Sequence, residues 1–233
     1  MTTRTTRVGV TAQPNGRARV DLRSGLLAPR LLSSGPDQAS VALVATTATL
    51  LAGDHVRLEV DVGPGVRLEL RDVAGTVAYD GRGGEARWDM AIRIASDAAL
   101  TWHGEPLVVS AGASVHRSLH VDIAAGGRLL LRDTVALGRS GEPPGALTCR
   151  TRMTYDGRPA LAEDLTLSPE TVALPGLLGG SRVIDTVTAI GWRPADVPDG
   201  PATLHLAEPG VLARELVTDA HQSRLTALWH TWA

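Results

Sequence analysis

Val60-Asp61-Val62-Gly63-Pro64-Gly65-Val66-Arg67-Leu68-Glu69-Leu70-Arg71-Asp72 returns, 61 positions on, as Val121-Asp122-Ile123-Ala124-Ala125-Gly126-Gly127-Arg128-Leu129-Leu130-Leu131-Arg132-Asp133. Asp, Gly, Arg, Leu, Arg and Asp recur in place. A weaker copy, Ile92-Arg93-Ile94-Ala95-Ser96-Asp97-Ala98-Ala99-Leu100-Thr101-Trp102, lies between them, and matching Val62, Ile94 and Ile123 gives steps of 32 and 29 residues. Each copy is an alternating stretch, a turn and a second alternating stretch. Alternation at period two puts one set of side chains on a single face of a strand. Gly-Pro-Gly, Ser-Asp and Ala-Gly-Gly are turn chemistry, because glycine accepts positive φ without a Cβ clash. Two short strands per copy cannot bury an apolar face alone, whereas stacked neighbours can. The expected fold is mostly β, a β-helix or solenoid-like stack of short strands or a layered β-sandwich, in a single domain over residues 1–233.

Outward from the repeat, residues 18–22, 40–44, 147–153 and 161–167 alternate as strands, as does 86–94 leading into the middle copy, with 203–206 a weaker case. Only the end reads as helix, at about 220–232. Asp219 followed by Gln222 has the spacing of a capping box. Leu225, Leu228, Trp229 and Trp232 then follow i, i+3, i+4, i+7, one apolar stripe. Residues 191–201, rich in Pro, Asp and Gly, read as an exposed loop.

The 233 residues are 43% hydrophobic, enough for a substantial core, and contain no Phe and no Lys. The net charge is −2, with Arg and acidic residues interspersed, so no basic block marks a nucleic-acid partner. The single cysteine, Cys149, excludes an internal disulfide and fits a reducing compartment. Residues 1–19 hold no apolar signal core, and no run of 18 apolar residues suggests a membrane span. A soluble cytoplasmic protein without membrane contact is expected.

Three stretches carry a resemblance. Leu50-Leu51-Ala52-Gly53-Asp54 runs into the alternating strand 56–62; Trp102-His103-Gly104-Glu105-Pro106-Leu107 is followed by Ala111-Gly112-Ala113; and Ala136-Leu137-Gly138-Arg139-Ser140-Gly141-Glu142-Pro143-Pro144-Gly145 contains a Gly-Arg-x-x-Gly-Glu loop. In order and spacing they resemble the UreD (UreH) family of urease accessory proteins, actinobacterial members above all. The likeness covers roughly residues 22–169, with a looser similarity through 211–232. The chain departs from the family pattern at Asp72-Val73-Ala74-Gly75-Thr76-Val77-Ala78-Tyr79, where Tyr79 fits but the usual Thr pair and basic residue are missing. The resemblance implies a non-enzymatic β-helical scaffold with no tightly bound cofactor. It implies partners as well: urease apoprotein, a helical accessory protein of the UreF type, and through it a GTPase of the UreG type carrying nickel. An internal tunnel has been proposed as the nickel route in such proteins.

Were nickel to pass through this chain, weak ligands should line its path, since nickel(II) accepts imidazole and carboxylate oxygen and transit requires release. The candidates are Asp54, His103, Glu105, Asp133, Glu142, Glu163 and Asp164. For the carboxylates the competing role is turn capping or plain exposure. Candidate partner-binding residues are Arg139 and Glu142 in the Gly-Arg-x-x-Gly-Glu loop, and Trp229 and Trp232, since Trp anchors many interfaces; the helix stripe also suits packing on its own domain. His116 and His120 share one strand face, yet i and i+4 there stand roughly 13 Å apart, too far for one metal. Cys149 reads as a buried structural thiol. Residues 176–181 lack the Lys of a phosphate loop, and the common hydrolase signatures are absent. Two rival readings remain. One is a β-helical carbohydrate-active enzyme using paired carboxylates, Asp72 and Asp133 being the pair in equivalent repeat positions, although 3% aromatic content is low for a sugar cleft. The other is a purely structural interaction module.

Overall fold

The computed structural model describes residues 5–14, 16–47, 50–174, 176–196 and 202–233. Two hairpins open the chain. β1 (Thr6–Ala12) pairs antiparallel with β2 (Ala18–Arg23), and β3 (Leu27–Ser34) with β4 (Gln38–Ala45). The repeat copies follow: β5 (His55–Val62), β6 (Arg67–Asp72) and β7 (Thr76–Ala78); β8 (Ala86–Ile94), β9 (Ala99–His103) and β10 (Leu107–Val109); β11 (Ser114–Ile123) and β12 (Arg128–Leu137). A further hairpin, β13 (Ala146–Tyr155) and β14 (Arg158–Leu167), precedes β15 (Val183–Ile190), β16 (Ala202–His205) and β17 (Gly210–Val217).

The first strand of every copy joins one sheet, in the order β14-β13-β11-β8-β5-β1-β2. The second strand joins another, β16-β17-β15-β12-β9-β6-β4-β3, with β10 bridging β7 and β12. Within each sheet the copies pair in parallel and in the register the repeat predicts. Val62 lies opposite Ile94, and Ile94 opposite Ile123. Leu68, Leu100 and Leu129 form a second ladder, and Leu70, Trp102 and Leu131 a third. All nine side chains are buried between the sheets. Each apolar side chain removed from water contributes about 1.5–3 kcal/mol. A slip of one residue would turn a whole ladder outward, so burial fixes the register. The solenoid-like expectation therefore holds, with antiparallel strands closing the stack at both ends: β2 and β3 at one, β14 and the β15-β17-β16 group at the other. Such caps satisfy backbone groups that a bare parallel edge would expose.

The C-terminal helix differs in one detail from its expected extent. Gln222 Oε1 accepts the Asp219 N–H at 3.3 Å, but this closes only a 3₁₀ turn, Ala220–Gln222. Ser223 is extended, and the helix α1 runs over Leu225–Trp232. The break has a physical cause. Ser223 Oγ donates to the buried Asp185 carboxylate at 2.6 Å and accepts the Leu225 N–H at 3.2 Å, which ties Ser223 to the sheet just ahead of the helix. Leu225, Leu228, Trp229 and Trp232 pack on Leu130, Val187, Ala189, Val211 and Ala213, on the outer face of the second sheet. Residues 191–196 are irregular, as expected, and 197–201 lie outside the described residues. Among the described residues no helix is long and apolar enough to cross a membrane.

Candidate functional site

Near the end of the second strand, the repeat places a polar residue where the ladders would continue inward. Asp72 holds that position in the first copy and Asp133 in the third. Extending the register by one residue sets Gly104 between them, and its N–H donates to Arg132 O at 3.1 Å. A Cβ on Gly104 would stand 2.7 Å from that carbonyl and 3.8 Å from Asp72 Oδ2. The absent side chain thus leaves room between two carboxylates that are roughly two strand spacings, about 10 Å, apart.

Arg117 enters that room from the opposite sheet, on the inward face of β11 between Val115 and Leu119. Its Nη1 donates to Asp133 Oδ2 at 2.6 Å, and its guanidinium carbon lies 5.7 Å from the centre of the Trp88 ring. Burial works against the charge on Arg117, but the Asp133 carboxylate outweighs it and holds the guanidinium protonated. Asp72 has no ion-pair partner among the described residues; it accepts Trp102 Nε1 at 3.3 Å and the Glu105 N–H at 3.1 Å. Burial pushes its carboxyl up to about 6 in spite of those two bonds.

The polar line continues past Arg117. Arg214 forks onto Glu163 with bonds of 2.6 and 2.8 Å and reaches Thr186 Oγ1 at 3.1 Å. Cys149 stands beside them, its thiol pushed up to about 11 by burial, which leaves it protonated. Three hollows follow the line. An outer groove of about 720 Å³ is lined by His103, Glu105, Asp72, Trp229 and His230 among others. Asp72 and Glu105 also line an inner cavity of about 20 Å³, which shares Arg117, Leu119 and Asp133 with a second of about 50 Å³. Glu163, Arg214 and Arg150 line the far side of the second. Trp88 Nε1 and Arg117 Nε are buried without a partner among the described residues, and each cavity has room for at least one water.

A second polar cluster ties the helix to the groove. Asp185, fully buried, accepts Arg132 at 2.8 and 3.3 Å, Thr134 at 2.8 Å and Ser223 at 2.6 Å. Arg132 also reaches Thr226 of α1 at 3.0 Å and lies 3.4 Å from His103 Nε2. The His103 ring meets Trp229 edge to face at 5.2 Å between centroids. Burial and the Arg132 charge hold the imidazole below its usual range, against the pull of Glu105 at 3.8 Å.

Of the residues singled out in the sequence, His103, Glu105, Asp133 and Glu163 fall along this line. The other three lie apart from it. Asp54 accepts the Leu51 N–H at 2.8 Å, a turn-capping role. Glu142 pairs with Arg139 at 2.7 Å, and that bond holds its carboxyl below the ordinary range. Asp164 takes Arg150 at 3.2 Å and Arg152 at 2.6 Å on the exposed side of β14. The Arg139–Glu142 loop is exposed and is anchored by Arg182, whose Nη2 donates to Arg139 O and Glu142 O at 2.6 Å. Trp229 and Trp232 are buried against the sheet rather than standing free, and Trp232 Nε1 donates to Asp196 O at 2.9 Å. Cys149 is half-buried and faces the second cavity. Arg117, Asp185 and Arg214 were not foreseen. Arg117 had a legible signal, a charge at an inward position of Val115-x-Arg117-x-Leu119-x-Val121. Among the described residues no three His, Cys, Asp or Glu side chains are grouped to hold a metal ion. Asp72 and Asp133 line a cavity of about 20 Å³ together with Arg117, which is paired with Asp133.

The family described as UreD urease accessory protein matches residues 7–230. The chain is 47% identical to urease accessory protein UreD 1 of Streptomyces griseus over 230 residues, spanning 97% of this chain and 90% of that one. It is 39% identical to UreD of Frankia alni, over 81% of this chain and 72% of the other. Against UreD of Streptomyces coelicolor the identity is 33%, over 93% of each chain. With the stacked-strand fold and a match over nearly its whole length, this chain belongs to the UreD family of urease accessory proteins.

Proposed function

We propose that the chain is a non-enzymatic cytoplasmic scaffold for urease activation, one that binds urease apoprotein, recruits a UreF-type helical protein and a UreG-type GTPase, and passes nickel through its interior. Nickel is cargo here, not a resident cofactor. The observation that carries the reading is the line of carboxylate-bearing cavities from the His103–Glu105–Asp72 groove past Asp133 to Glu163. A solenoid core has no folding need for it, since replacing even a paired buried charge by well-packed apolar side chains is often neutral or stabilising. Oxygen ligands met one at a time bind nickel(II) loosely enough to release it.

The test is co-expression of the tagged chain with the urease subunits and the helical and GTPase accessory proteins. Size-exclusion chromatography should show a shared peak that is lost when this chain is omitted. Urease made without the chain should be present but nickel-free; a normal nickel content there would sink the proposal. Partner capture with nickel content unaffected by Asp72→Asn, Asp133→Asn and Glu163→Gln would reduce the role to structural docking.

A further inference from the structure

Arg117 lines both inner cavities. With about 20 and 50 Å³ available, neither cavity admits a cation with a full water shell, because each water occupies about 30 Å³ in the liquid. A fixed positive charge in the narrowest part of the line also repels any cation approaching from Asp72. The guanidinium is nonetheless incompletely held. It is bound to one carboxylate, Asp133, while its Nε lacks a partner among the described residues. In the same position it already lies over the face of Trp88, 5.7 Å from the ring centre, and makes a soft contact with the Met90 sulfur at 4.0 Å, so it keeps an apolar support if the carboxylate bond is lost.

We propose that Arg117 is a displaceable plug: its guanidinium occupies Asp133 and shuts the line, and a divalent cation arriving past Asp72 takes over that carboxylate as the guanidinium lets go of it and keeps only its place over Trp88. The proposal rests on the transit reading above and adds the group that controls passage. No bond is made or broken; one cation replaces another at the same oxygen atoms. The nearly buried Trp88, whose indole N–H has no acceptor among the described residues, supplies a donor for the water that the moving charges carry.

Equilibrium dialysis of the purified full-length chain against nickel(II) chloride tests the plug directly. Arg117→Met should tighten the binding of one nickel equivalent by at least about tenfold, since it frees a carboxylate and removes a like charge at contact distance. Adding Asp133→Asn to that variant should return the affinity to the native level. A folded Arg117→Met chain that binds nickel no better than the native chain overturns the proposal. Arg117→Lys keeps the charge but not the fork and should give a smaller tightening; if the Met variant does not fold, a native affinity in the Lys variant overturns the proposal equally. Urease nickel content from co-expression separates the two readings. Tightened dialysis with unchanged urease nickel in Asp72→Asn and Asp133→Asn leaves the plug standing and removes transit. No tightening, with urease nickel lowered by those variants, does the reverse.

Discussion

At the scale of the residue, the interior chemistry is decided by which carboxylate has a cation. Asp133 and Glu163 each hold a guanidinium, whereas among the described residues Asp72 is held by an indole and a backbone N–H alone. Its folded value of about 6 lies above the ordinary 3.8, so the folded chain binds this proton more tightly than the unfolded chain does. The resulting stabilisation is complete below 3.8 and is lost as pH rises through about 6. Asp72→Asn, neutral at every pH, should therefore gain on the native chain between pH 4 and pH 7.5. The gain should reach up to about 3 kcal/mol, since each tenfold change in proton affinity is worth about 1.4 kcal/mol. Urea unfolding at the two pH values measures this, and an equal difference at both would refute the assignment. Asp133 was legible in the sequence through its repeat position, and Glu105 and His103 through the family-like segment. Asp185 was not, because a lone Asp in Val183-Ile184-Asp185-Thr186-Val187 shows neither its burial nor its partners, which lie 38 to 53 residues away.

At the scale of the element, period-two alternation and turn glycines sufficed to place the stacked strands, because each copy obeys the same inward ladder. What sequence could not separate was the 3₁₀ turn from the helix after it. The capping-box pattern at Asp219 and Gln222 is real, yet the helix begins only after Ser223, whose hydroxyl is claimed by Asp185 across the sheet. Ser223→Ala should cost about 1–3 kcal/mol, the loss of the bond to the Leu225 N–H together with a bond to a buried carboxylate. It should also loosen Trp229 over the groove, so tryptophan fluorescence should shift to longer wavelength before global unfolding in denaturant. An unchanged fluorescence transition would mean that the helix is held by its apolar stripe alone. Gly104→Ala makes a complementary test within the strands. Its Cβ would press to 2.7 Å on Arg132 O, and overpacking at a close backbone approach costs typically about 1–3 kcal/mol. A Gly104→Ala chain with native thermal stability would show that the rung can open at that level.

At the scale of the whole molecule, two paired sheets could be filled with aliphatic side chains from end to end, as they are through the Val62 and Leu68 ladders. They are not so filled at the level of Asp72 and Asp133, where hollows replace them. Scaffold and conduit make different demands there: a docking surface is indifferent to interior volume, whereas a conduit depends on it. Leu119 separates the two, because it lines both inner cavities yet is buried and away from any exposed face. Leu119→Phe adds volume into space that already exists, so its cost should stay at the low end of overpacking, about 1 kcal/mol. The variant should still co-elute with its partners, because no outward residue changes. Urease matured with it should nevertheless carry markedly less nickel than urease matured with the native chain at equal expression. Full nickel loading with Leu119→Phe would mean that nickel travels by another route, and that the polar line serves the fold or a partner instead.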